Sequence, residues 1–146
     1  MSRKSRVLII SGIVLVFIVL LLIFSPILKS KPIAIEPGLT YQDTIMLEDT
    51  PDSTDKDYRR HTYSLNVAVD TTYTFEASSL SDASILVFEY HDGDKIHLLS
   101  VHAMGSGMKD HTFHSAGLKI FYVEALADEC PAEYSLCVTE VEEDSS

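Results

Sequence analysis

The sequence predicts an all-β domain, an antiparallel two-sheet jelly-roll-like β-sandwich of seven or eight strands, preceded by one N-terminal transmembrane helix. Three observations carry this. Residues 7–24 (VLIISGIVLVFIVLLLIF) hold no formal charge; residues beyond 38 alternate apolar and polar at period two; and outside the first run no stretch repeats at helical period.

The apolar run begins at Val7 behind Arg3, Lys4 and Arg6 and continues to Leu28. At about 1.5 Å per helical residue it measures about 33 Å, enough for a hydrocarbon core of about 30 Å. A cleaved leader has an apolar stretch of about 7 to 15 residues and a small-residue site, and Ser25-Pro26-Ile27-Leu28 supplies none. Residues 7–28 therefore read as a signal anchor contacting the membrane. Three basic residues before the span against Lys29 and Lys31 after it place residues 1–6 in the cytoplasm and the rest outside.

Pro32 and Pro37 mark residues 29–38 as a stalk, residues 39–141 as the sandwich and residues 142–146 as an acidic tail. Beyond residue 31 there are six basic and 22 acidic residues, a formal charge of −16. Such a surface repels phosphate backbones, which excludes nucleic acid as a partner and favours cations or basic proteins.

The strands follow in order. Residues 40–47 form the first, and 48–57 (EDTPDSTDKD) a carboxylate-rich loop. Tyr63, Leu65, Val67 and Val69 share one face; after a turn at Asp70 and Thr71, so do Tyr73, Phe75 and Ala77. Asp92-Gly93 between residues 85–90 and 95–101 fits a type I′ hairpin, which sets Tyr90 opposite Lys95, Phe88 opposite His97 and Leu86 opposite Leu99. Residues 104–109 (MGSGMK) read as a flexible loop, 111–115 as a short strand, and 119–126 and 133–141 as the last two.

This order resembles the bacterial and archaeal pre-peptidase C-terminal domain, a sandwich found beside secreted peptidases and in surface proteins. The resemblance rests on the strand pair 63–69 and 73–77, on Ser81-Asp82-Ala83-Ser84 leading into Ile85, and on an ending with Gly117, Phe121, Tyr122, Tyr134, Leu136 and Val138. It covers residues 39–141 and departs at Ser84, where the family carries a second Asp. It implies a calcium role for Asp82.

Cys130 and Cys137 are expected to form a disulfide in an oxidising compartment, with two free thiols as the alternative. Asp49, Asp52, Asp55 and Asp57 in one loop, with Asp92 and Asp94 in another, are candidate ligands for weak calcium binding, since hard cations need clustered oxygens. The six histidines (61, 91, 97, 102, 111 and 114) lack metal-ligand spacing and read as scattered surface residues. No nucleophile or cofactor motif appears, so no enzymatic activity and no cofactor are expected. The functional expectation is a membrane-anchored extracytoplasmic interaction module for an envelope or surface protein or a glycan. Alternatives are an accessory subunit of a surface peptidase or other hydrolase, and a weak calcium-binding module.

Overall fold

In the computed structural model, residues 31–52 and 55–142 are described; the predicted span, residues 7–28, lies outside them. Among the described residues no helix is long and apolar enough to cross a membrane.

Nine strands are described: β1 (Ile33–Ala34), β2 (Thr40–Ile45), β3 (Tyr58–Val67), β4 (Thr71–Ser79), β5 (Ile85–His91), β6 (Asp94–Val101), β7 (Ser106–Phe113), β8 (Gly117–Leu126) and β9 (Ala132–Glu140). They form two sheets, β1-β3-β8-β5-β6 and β2-β9-β4-β7, antiparallel except where β1 runs alongside β3. The period-two alternation turns one face of each sheet inward. Tyr63, Leu65 and Val67 of β3, Phe121 and Val123 of β8, Phe75 of β4 and Leu136 and Val138 of β9 are all buried. Phe75 and Phe121 meet across the sheets with ring centroids 5.0 Å apart. Each such side chain contributes about 1.5–3 kcal/mol on burial.

The hairpin forms as the Asp92-Gly93 pair predicts, with φ of 50° and 96° at the two central residues. Tyr90 pairs with Lys95 and Phe88 with His97, and the Phe88 and His97 rings lie 5.4 Å apart. Leu86, however, pairs with Ser100, while Val87 takes Leu99. A bulge inserts Leu98 into β6 and so lets Leu98 and Leu99 both bury, which strict alternation forbids.

The glycine-rich stretch read as a flexible loop instead enters β7 at Ser106. Gly107 lies inside the strand because a Cβ there would come within 3.3 Å of Val101 Cγ2. Its role is close approach, not flexibility.

Two short segments guard the outer edge of β3. Ile33 and Ala34, within the stretch read as a stalk, pair with Tyr63 and Ser64. Farther along, Asp52 N–H donates to Tyr58 O, and Arg60 N–H donates to Thr50 O. The acidic loop thus works as a strap on an edge that would otherwise offer free backbone groups.

Candidate functional site

Alternation along β2 turns Tyr41, Asp43 and Ile45 toward the sandwich interior, where β2 faces β3 across the opening between the sheets. β3 brings His61 and Tyr63 to this opening, and β9 brings Tyr134, register partner of Asp43. His61 lies 3.0 Å through Nε2 from Asp49 Oδ2 and 2.9 Å through Nδ1 from the Tyr134 hydroxyl, which is 2.6 Å from the Tyr63 hydroxyl.

One tautomer of the imidazole makes this a continuous chain, in which Nε2–H donates to Asp49, Nδ1 accepts from the Tyr134 hydroxyl and Tyr134 accepts from Tyr63. Asp43 Oδ2 lies 3.3 Å from the same Nδ1, and Asp43 Oδ1 accepts from Thr44 N–H at 2.8 Å. Burial, with Tyr63 beside it, raises the Tyr134 phenol above its ordinary range; burial likewise raises Tyr63. Neither phenol is prepared to ionise.

Beside this network opens a groove of about 300 Å³ lined by Gln42, Asp43, Thr44, Leu80, Glu133 and Tyr134. Its exposed walls are polar and acidic, with Leu80 as an apolar side.

A second polar cluster occupies the outer face of the five-stranded sheet beneath the strap. Asp52 and Glu124 are 2% and 1% exposed, and Lys95 Nζ donates to both, to Glu124 Oε2 at 2.8 Å. Arg60, register partner of Glu124, lies 3.7 Å from Asp52 and stacks 4.1 Å above the Tyr122 ring. Burial raises the Glu124 carboxyl to about 7, against the pull of Lys95 and with the nearby Asp52 adding to the rise. Burial works against the Lys95 ammonium, yet its hydrogen bonds to Asp52 and Glu124 carry its pKa above the ordinary value.

The structure scatters the candidate calcium ligands. Asp49 binds His61 and Met46 N–H, and Asp52 belongs to the buried cluster. Asp55 accepts from Asp57 N–H at 3.0 Å. Asp82 sits between β4 and β5, while Asp92 and Asp94 flank the hairpin glycine. Among the described residues, no three His, Cys, Asp or Glu side chains converge in a way that could hold a metal ion.

The expected disulfide is not formed: Cys130 and Cys137 are both free. Cys130 precedes β9 and Cys137 lies within it, and about 3.3 Å of rise per strand residue carries the two far beyond the 7 Å Cα limit for a bridge. Sγ of Cys130 turns to Leu126 O instead.

The histidines are not all surface residues either. The His61 side chain is only 15% exposed, and His111 bonds the buried Glu89 at 3.0 Å. Sequence reasoning also passed over Tyr134, Lys95 and Glu124. The one local signal was Glu124, a lone acid inside the apolar strand KIFYVEAL.

No family model matches the sequence, and no curated protein matches it. Among solved structures, the pre-peptidase C-terminal domain of collagenase from Bacillus anthracis superposes with a TM-score of 0.50 at 16% identity, covering 75% of this chain and 95% of that one. This chain has a pre-peptidase C-terminal-like fold. A periplasmic inhibitor of g-type lysozyme from Aeromonas hydrophila gives a TM-score of 0.48 at 14% identity, over 76% of this chain and 96% of its own.

Proposed function

We propose that the protein is a membrane-anchored extracytoplasmic interaction module that works by binding a protein partner and performs no chemistry of its own. The observation that carries this reading is the orientation of its reactive groups. His61, Tyr134 and Tyr63 bond one another inside the sandwich, and Asp52, Lys95 and Glu124 bond one another beneath the strap. A general acid or base needs a reacting group within hydrogen-bond reach, and these are committed to one another. What the domain offers to solvent is a shaped, acidic groove.

Anchoring rests on the apolar run from Val7 to Leu28 and its basic flank. The test combines two measurements on cells expressing the full chain. Mass spectrometry of the mature membrane protein is expected to show the N-terminal residues retained, and protease added outside intact cells should remove the sandwich. A mature chain beginning near Ser30, or a domain protected from external protease, would sink the anchored reading. Photo-cross-linking from the groove rim in intact membranes tests binding, with a discrete adduct expected.

A further inference from the structure

We infer that residues 50–52 of the strap form a pH-operated latch: they lie closed on the edge of β3 while Glu124 holds a proton and lift from it, the sandwich staying folded, when that proton is lost. The ends of the strap are held away from Glu124. Asp49 bonds His61, Arg59 donates to Leu47 O and Lys56 O at 2.7 Å each, and Asp57 O accepts from Ala127 N–H at 2.6 Å. Between these anchors two backbone bonds and the Asp52 carboxylate fasten the strap to the sheet, so its middle can rise as a bow while its ends stay pinned.

The groups facing Glu124 make Asp52 sensitive to its charge. Asp52 comes from the strap, Arg60 from β3 and Lys95 from β6; Tyr122 lies beside Glu124 on β8, with Tyr90 of β5 against its ring, and the register partner on β5 is Leu86. His97 of β6 turns instead to Phe88 and Ser100. One ammonium therefore serves two carboxylates that are 2% and 1% exposed, Arg60 stays 3.7 Å from Asp52, and Glu124 Oε1 and Arg60 Nε lack hydrogen-bond partners among the described residues. A protonated Glu124 suits this closed arrangement, because it removes one buried negative charge and offers Asp52 a donor. An ionised Glu124 favours opening, since lifting Asp52 returns both carboxylates to water. Burial raises the closed-form Glu124 carboxyl from 4.5 to about 7, so opening releases a proton and becomes easier as pH rises through that window.

The experiment is residue-resolved hydrogen exchange on the full chain in phosphatidylcholine nanodiscs, with rates corrected for the intrinsic pH dependence of amide exchange. The reporters are the Asp52 and Arg60 amides, which bond Tyr58 O and Thr50 O across the latch, compared with the β8 amides of residues 120–123 inside the sheet. Between about pH 5.5 and 8 the opening constant of the two strap amides should rise about thirtyfold, one proton leaving per opening, and then level off. At the upper pH they should exchange faster than the β8 amides and respond little to sub-denaturing urea, as local opening does. Glu124→Gln, which cannot ionise, should hold both strap amides at nearly constant protection across the range. Should that variant lose its cooperative melt, Glu124→Met makes the same comparison. Strap protection that is flat with pH in the native chain, a pH dependence that persists without Glu124, or strap amides that exchange only together with those of β8 overturns the proposal. Each of these outcomes leaves the interaction module standing, because cross-linking to a partner is read separately.

Discussion

The opening between the sheets and the face beneath the strap each hold a polar network, and one loop feeds both: Asp49 enters the first and Asp52 the second. They solve burial differently. Around His61 a linear chain of donors and acceptors runs from Asp49 to Tyr63 with Asp43 beside it, and its buried groups have partners. Beneath the strap four formal charges are packed together, and Arg60 Nε and Glu124 Oε1 are left without hydrogen-bond partners among the described residues. A closed hydrogen-bond chain costs little to bury, whereas buried ions must repay a desolvation penalty of several kcal/mol each. The contrast assigns shape to the first network and sensitivity to the second.

Lys95 is where the contrast breaks most sharply. Lys95→Met removes the cation shared by Asp52 and Glu124 and leaves two buried carboxylates facing each other. Stripping one side of a buried ion cluster costs about 3–5 kcal/mol, to be read from urea unfolding at pH 8. Adding Asp52→Asn and Glu124→Gln should recover part of that loss. A triple variant no more stable than Lys95→Met would show that packing of the lysine stem, not charge, holds the strap.

The next effect is a pH dependence confined to the second network. Burial raises the folded Glu124 carboxyl from 4.5 to about 7, so between those values the folded state binds a proton that the unfolded state releases. This contribution is complete below the unfolded value and is lost as pH rises through about 7. At about 1.4 kcal/mol per unit it reaches about 3 kcal/mol, so native stability relative to Glu124→Gln should increase as pH falls from 8 toward 5. Parallel stability profiles for the two chains would refute it. The proton also gives Glu124 a donor to offer the neighbouring Asp52.

In the first network the expected effect is smaller and ordered along the chain. Tyr134→Phe takes out the hydroxyl joining His61 to Tyr63, so that His61 keeps only its carboxylate contacts and the Tyr63 hydroxyl loses its partner, at about 2 kcal/mol. Tyr63→Phe removes only the terminal donor and should cost about 1 kcal/mol, with the double variant less destabilised than the sum. Additive losses would mean that the hydroxyls do not form one chain.

The two networks also differ from the rest of the molecule in how they could be read from sequence. Strand faces and the Asp92-Gly93 hairpin are local, set by period two and by a turn that needs positive φ, and both appear in the fold. Local pattern failed where tertiary packing overrode it, at the Leu98 bulge and at Gly107 inside β7. The sites escape for a different reason. Asp43, His61 and Tyr134 come from β2, β3 and β9, and no local spacing announces that two sheets bring them to one opening. Asp52 was one carboxylate among five in its loop; only the register of Arg60 with Glu124 and the reach of Lys95 single it out.

The smallest effect is expected where neither network is touched. Cys130 turns its thiol to Leu126 O, and Cys137 lies on β9 between Thr40 of β2 and Glu76 of β4. Cys130→Ser/Cys137→Ser should change stability by no more than about 0.5 kcal/mol, the ordinary range for substitutions away from special features. The loss of a bridge would instead cost about 2–5 kcal/mol. Alkylation of the native chain in denaturant without reductant should add two adducts, one per free thiol. An unalkylated chain that gains both adducts only after reduction would require the start of β9 to leave its pairing with β2, and would bring the strap-side turn at residues 127–129 into the same rearrangement.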